Sequence, residues 1–456
     1  MANYPNSIYS PRTKANRNGV VYDENKETVI FVEDVEKGDD ESVAIENELG
    51  LNPKEDFNNV ADRIKGIVEL PSTRFNNYNH TKFVNYLKSI HAKNKNIEFG
   101  INNYENDLTL NQYAYVGGVY SPTQNRIYLM PLKQANQTQW HYIDCDTGNV
   151  VAYTHGITAV TDGYSGGVYS PTQDRIYPAP FMQGPETQWH YVNCKNGDIV
   201  AYTHGAIAVA GAYVGGVYSP TQNRIYFVPY GQANQTQWHY IDCDTGNVVA
   251  YNHGITAVQF GYMMGVYSPT QNRIYLVPVF QSDQTQWHYI DCDTGNVVAY
   301  THGASAVAGA YIGGVYSPIQ NRIYLVPHAQ ATQTQWHYID CDTGNVVAYT
   351  HGVTVVASGY MGGVYSPTSN RIYLSPYKQA NQTQWHYIDC DTGNVVAYTH
   401  GITAVTDGYS GGVYSPTENK VYFMPYGQTN QSKWCFIREY SQPEIPPSIS
   451  ACACFN

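Results

Sequence analysis

The stretch GGVYSPTQNRIYLMP at residues 117–131, continued by WHYIDCDTGNVVAY at residues 140–153, recurs along the chain almost letter for letter. Its landmarks keep strict time. Trp140, Trp189, Trp238, Trp287, Trp336, Trp385 and Trp434 stand 49 residues apart, as do the Tyr-Ser-Pro tripeptides that begin at Tyr120 and end at Tyr414. A fixed period of roughly 40–50 residues with strand-like content is the signature of propeller blades, and the Gly, Pro and β-branched density disfavours helical repeats. The spacing therefore predicts a mainly β chain: a seven-bladed β-propeller of 49-residue repeats, preceded by a small α+β N-terminal module.

Within one repeat, Gly117 to Ser121 reads as a first strand, Arg126 to Pro131 as a second and Gln139 to Cys145 as a third. Asp146-Thr147-Gly148-Asn149 then supplies a tight turn into a fourth, Val150 to Thr154. The glycine pair Gly117-Gly118 suits the innermost strand, where converging backbones leave no room for Cβ atoms. The last repeat stops after its third strand, at about Tyr440, with Pro443, Pro446 and Pro447 following. Stepping one period back from Val150–Tyr153 reaches Ile101–Tyr104, so the missing strand is expected from the N-terminal side. The expected division is a module over 1–96, a propeller over 97–440 closed by 97–104, and a tail over 441–456.

Charge narrows the partners. A net charge of −12 argues against the nucleic-acid backbone, which needs clustered Lys and Arg. No stretch approaches the ~20 apolar residues of a membrane span, and Met1 to Ser10 lacks the apolar run of a secretory signal. Six of the nine cysteines (Cys145, Cys194, Cys243, Cys292, Cys341, Cys390) share one repeat position and so fall in different blades. Sheets pack about 10 Å apart, beyond the roughly 7 Å that a disulfide spans between Cα atoms, so these six are expected as buried thiols.

Chemistry that the repeat could carry reads as scaffold. His141 and His155 recur in six repeats each, but Zn needs three or four convergent ligands, and the hairpin register is expected to set Trp140 rather than His141 opposite His155. Asp144 and Asp146 resemble the start of a calcium loop, yet no later carboxylate completes the shell. Catalysis gathers unlike groups at one place, whereas here nearly every polar residue is repeated. No catalytic residue, metal site or cofactor is expected.

The repeat segments are similar to the loosely defined repeats of YVTN-like and quinoprotein-like propellers, a resemblance over about three quarters of the chain that concerns fold alone. Residues 1–96 hold over half of the chain's Lys and Arg. They read as a hairpin (Val20–Tyr22 with Thr28–Val32), then helical spacing at Ser42–Leu49, Phe57–Ile67 and Lys82–Ile90. The run YSPRTKANRNGVVYDENKETVIFVEDVEKGDDESVAIENELGLNP at 9–53 resembles the N-terminal segment of bacteriophage tail-fibre and related appendage proteins. That resemblance implies a virion protein, made in the host cytoplasm, whose N-terminal part joins other virion proteins while the distal domain meets the host.

Seven near-copies also act as one another's controls. Differences gather in two loops. Between the second and third strands the blades read Leu132-Lys133, Phe181-Met182, Tyr230-Gly231, Val279-Phe280, His328-Ala329, Tyr377-Lys378 and Tyr426-Gly427. Before the inner strand they carry Asp162, Gly211, Phe260, Gly309, Ser358 and Asp407. In an up-and-down blade both loops leave one face, and recognition residues commonly sit on loops of a rigid scaffold. The candidate binding residues are Tyr230, Phe260, Phe280, His328, Tyr377, Asp162 and Asp407, facing a host-surface glycan or protein. A homo-oligomer is compatible with this reading. An interaction scaffold of a cellular protein ranks second, and a propeller glycosidase or lyase third.

Overall fold

The computed structural model describes residues 97–105 and 113–441, less loop stretches at 134–136, 159–161, 185, 208–209, 233, 258, 282–283, 306–308, 331, 403–405 and 428–432. The module expected over 1–96 and the chain beyond Ser441 lie outside the described residues. So do Cys452 and Cys454.

Among the described residues, twenty-eight strands, β1 to β28 in chain order, form seven four-stranded antiparallel sheets. The first blade is β2 (Tyr115–Ser121), β3 (Arg126–Pro131), β4 (Gln139–Asp144) and β5 (Val150–Thr154), hydrogen-bonded in that order. The next five blades repeat it. The seventh takes β26 (Tyr409–Ser415), β27 (Lys420–Pro425) and β28 (Lys433–Ser441) from the C-terminal end, and β1 (Ile97–Glu105) pairs with β28 as its outer strand. Tyr104 stands opposite Trp434, as Tyr153 stands opposite Trp140.

Three boundaries differ from the sequence reading. The inner strand starts at Tyr115, which pairs with Pro131 across a bulge that ends at Gly118. Gly117 sits in that bulge at φ 74°, a conformation that a side chain would strain. The third strand ends at Asp144, one residue early, because Cys145 already donates its N–H to Asn125 at the end of the neighbouring turn. Ser441 belongs to β28 and not to a tail.

Apolar side chains pack between blades. Tyr128, Met130 and Tyr142 of the first blade form one cluster with Ile176, Val192 and Cys194 of the second. The second strand of each blade is covered on both sides, which explains why it reads as the unbroken run Ile-Tyr-Leu-Met rather than an alternation. All seven tryptophans are fully buried. Cys145 and its five counterparts are buried free thiols, and burial pushes Cys145 up to about 12.

A polar belt ties the blades together at the end where the Ser-Pro-Thr-Gln-Asn and Asp-Thr-Gly-Asn turns emerge. Thr221 Oγ1 donates to Asn272 Oδ1 of the next blade at 2.9 Å, Tyr267 donates to the same oxygen at 2.8 Å, and Asn272 Nδ2 donates to Asp293 Oδ1 at 2.6 Å. The ring closes on itself through Thr417 and Asn125, 2.9 Å apart. Asn272 holds φ 51°, a left-handed conformation that Asn and Asp tolerate best, and its six counterparts are all Asn or Asp. One link is broken. Ile319 stands where the other six blades have Thr, so Ser317 Oγ is buried without the threonine partner that Ser268 finds in Thr270.

Two tests follow from this architecture. Deleting residues 1–105 removes β1 and bares the edge of β28, so the truncated chain should aggregate or melt well below the full chain. A truncation that stays monomeric with an unchanged Tm would show that β1 is dispensable for closure. Replacing Ile319 by Thr should complete the belt and stabilise the fold by about 1 kcal/mol, the usual net worth of a hydrogen bond. Chemical denaturation reads this directly, and a loss of stability would mean that packing by the isoleucine outweighs the bond.

Candidate functional site

Antiparallel blades send the loops after β3 and β5 to one end of the propeller and the turns after β2 and β4 to the other. The first end is varied in sequence and the second is the polar belt. On the varied end, the loop before an inner strand leans on the loop that follows the second strand of the preceding blade. Phe260 N–H donates to Tyr230 O at 2.8 Å, Ser358 N–H to His328 O at 2.8 Å and Tyr113 N–H to Tyr426 O at 3.1 Å. This linkage lays the side chains side by side around the rim.

Two groups emerge among the candidate residues. Tyr230 is half-buried, with its ring 4.7 Å from that of exposed Phe260 and 6.2 Å from Phe181. In the second group His328 lies 6.0 Å from Tyr377, and Tyr377 lies 6.0 Å from Tyr426. His328 Nδ1 is bonded to Tyr360 O at 2.9 Å, and burial lowers its pKa. Burial raises the Tyr377 hydroxyl, and a hydrogen bond to Asp407 raises it further. Phe280 stands apart, 49% exposed. Asp162 lies at the junction of the first two blades, where its charge helps raise the Tyr426 pKa behind the effects of burial, Tyr113 and Asp407.

Several rim residues escaped the sequence reading. Tyr113 packs on Tyr426 with centroids 4.7 Å apart, donates to Asp407 Oδ2 at 3.4 Å and lies beneath the Lys133 ammonium at 4.9 Å. Its place was legible. Tyr113 is one period before Asp162, and extending the loop comparison back by one repeat would have found it. Phe181 and Tyr426 were visible in the compared loops but were not singled out.

The histidines are structural. His141 Nδ1 shares a hydrogen bond with the Tyr115 hydroxyl, and His155 Nε2 bonds Gln137 O at 2.6 Å while Nδ1 accepts from Ile157 N at 3.2 Å. The expected register was off: Trp140 is opposite Tyr153, and His155, just past the strand, stacks on Trp140 at 4.5 Å. Asp144 Oδ1 accepts from Asp146 N, Thr147 N and Thr147 Oγ1 at 3.2, 3.0 and 3.0 Å, so the turn itself consumes that oxygen. Along the axis, Gly118, Val119, Tyr120 and their counterparts line a channel of about 510 Å³ without a charged side chain.

No protein-family profile and no curated protein sequence matches the chain. Solved structures do resemble it. The extracellular domain of the putative one-component system BT4673 from B. thetaiotaomicron aligns with a TM-score of 0.51 at 6% identity, over 75% of this chain and 40% of that one. The Cps50 (Swd1) β-propeller domain of Myceliophteria_thermophila aligns at 0.49 and 10% identity, over 75% of this chain and 100% of that one. At such identities a likeness speaks to fold alone, and the class is drawn from the coordinates, a seven-bladed β-propeller.

Burial lowers His141, His190, His239, His288 and His386 to about 4. In the unfolded chain they protonate near 6.5, so between these values the unfolded state holds more protons and stability falls as pH drops. Thermal melts from pH 7 to pH 5 should therefore show a falling Tm. A flat profile would contradict the neutral, buried state of these rings.

Proposed function

We propose that the protein is a non-enzymatic binding protein of a virion appendage, with residues 1–96 joining other virion proteins and the varied propeller face holding a host-surface glycan. One observation carries the binding part: two runs of contacting rings lie on the varied face, Phe181–Tyr230–Phe260 and Tyr377–Tyr426–Tyr113. Flat rings with few rotatable bonds give a sugar apolar surface at low entropic cost, and carboxylates between them accept its hydroxyls. The likeness of residues 9–53 to tail-fibre segments supports the virion part. Binding without catalysis accords with polar groups that are repeated for the scaffold, as the Asn-Thr-Asp belt shows.

Replacing Tyr230, Phe280 and Tyr377 together by Ala should weaken adhesion to host cells or to an arrayed glycan by about 2 kcal/mol or more, with little change in Tm. The matching control lies on the belt face. A control there must avoid residues that hold the belt or its neighbours in place, such as Thr123, which bonds Asp174 of the next blade at 2.8 Å, and Gln222, which accepts from Tyr226 at 2.5 Å. Exposed Lys195 serves, and K195A should bind normally. Binding that survives the aromatic triple variant would remove the varied face from consideration. Failure to detect the protein on purified particles would remove the virion assignment.

A further inference from the structure

The rim is not uniform. Among the described residues its exposed large apolar side chains, Met182, Ile207, Phe260 and Phe280, all belong to the second, third and fourth blades and their junctions. The opposite sector, centred on the seventh blade, is made of tyrosines, the carboxylates of Asp407 and Asp162, and two lysines. Resting on the glycan-binding reading above, we propose that this sector is the anchoring subsite and that it takes a carboxylate-bearing pyranose ring.

Tyr426 and Tyr113 form the floor, 4.7 Å between centroids, and Tyr377 stands 6.0 Å from Tyr426 as a side wall. Gly427 keeps the seventh blade's loop low: a Cβ there would meet Asp407 O at 2.5 Å, so no side chain fits where the second and fourth blades raise Met182 and Phe280. Asp407 has both oxygens turned to this place in different ways. Oδ2 receives the Tyr113 hydroxyl at 3.4 Å, the Tyr377 hydroxyl also bonds this carboxylate, and Oδ1 is buried with no hydrogen-bond partner. A buried carboxylate oxygen without a donor is unfavourable, and a ligand hydroxyl would satisfy it.

Lysines decide the class of sugar. Of the seven equivalent loop positions only those in the sixth and first blades carry one, Lys378 and Lys133, and these blades flank the seventh. Both are exposed, with Lys133 Nζ 4.9 Å from the Tyr113 centroid and Lys378 Nζ 5.7 Å from that of Tyr377. Ammonium groups already over the rings repel a cationic guest, which sets aside an alkylammonium ligand of the kind aromatic cages hold. A carboxylate on the sugar is the group that two flanking ammoniums attract, while the ring's hydroxyls meet Asp407 and its apolar face meets the tyrosines.

Titration calorimetry on the full chain tests this with two matched pairs: sialyllactose against lactose, and oligogalacturonate against its carboxyl-reduced form. The acidic member of at least one pair should bind tenfold or more tightly, and that pair identifies the acid sugar. The double variant K133Q/K378Q should erase the difference between the two members, whereas Tyr426→Ala should weaken both members. Equal binding of acidic and neutral members, or an acid preference that survives K133Q/K378Q, overturns the acid-sugar subsite and leaves glycan binding standing. No binding by the unaltered chain to any arrayed glycan or host cell overturns both.

Discussion

Around the axis neighbouring inner strands come so close that a Cβ on Gly166 would stand 3.2 Å from the Cα of Gly215, and one on Gly362 would stand 3.0 Å from that of Gly411. Those distances are tighter than ordinary contact, and they favour glycine where the blades converge. Equal wedges need equal blades. The outward widening is then filled by large residues, the tryptophans and the Tyr128–Tyr142–Tyr153 trio whose rings lie 5.6 to 5.7 Å apart. The fourth blade is instructive, because Met264 replaces the glycine there and the ladder irregularity moves to the interval between Tyr262 and Met264. Its thioether turns toward Gly313, which would carry a Cβ only 3.5 Å from the sulfur. The ring absorbs one such change by giving up a regular bulge in one blade.

Equal wedges also explain which substitutions travel in company. Where the Cys145 position falls in the seventh blade the chain has Glu439, buried in a site built for a thiol, and in the sixth blade Ser369 replaces the glutamine found at Gln320. The two changes fit. Glu439 accepts from Ser366 at 2.6 Å, from Tyr373 at 3.1 Å and from Ser369, filling the role that Gln320 has toward Tyr324. Burial raises the Glu439 pKa, and these bonds with the nearby Arg371 oppose the rise. The second blade also departs from the others on the belt, where Asp174 takes the asparagine position and Lys195 takes the place of the aspartate.

The seven blades and their strand order could be read from the Trp and Tyr-Ser-Pro spacing because both markers recur in every blade without insertion. The belt could not, since Thr221 and Asn272 are 51 residues apart and only the ring brings each threonine beside the next blade's asparagine. The same holds at the rim. Tyr113 meets Asp407 across 294 residues, a contact that exists only because the first and seventh blades are neighbours. Sequence comparison between blades found where variation lies. It could not say that Tyr230 and Phe260 touch while Phe280 stands alone, because that depends on which loop leans on which blade.

Backbone conformation gives the rim its sharpest physical meaning. Beside its left-handed glycines, each blade has one left-handed position on the belt face that is always Asn or Asp, the residues that bear that conformation cheaply. The rim position reads Tyr113, Asp162, Gly211, Phe260, Gly309, Ser358 and Asp407, with φ between 54° and 70°. A left-handed aromatic costs about 1 kcal/mol or more, and the pairing of Phe260 with Tyr230 or of Tyr113 with Tyr426 returns an amount of similar size. Stability thus gives little reason to prefer a ring over the asparagine that serves on the other face. What the ring does gain is a fixed direction: φ near 60° turns both side chains onto their neighbours at nearly the same angle, 40° in one pair and 38° in the other. Surfaces held so rigidly need no ordering when a flat partner arrives, which is the circumstance in which strain at a backbone is worth keeping.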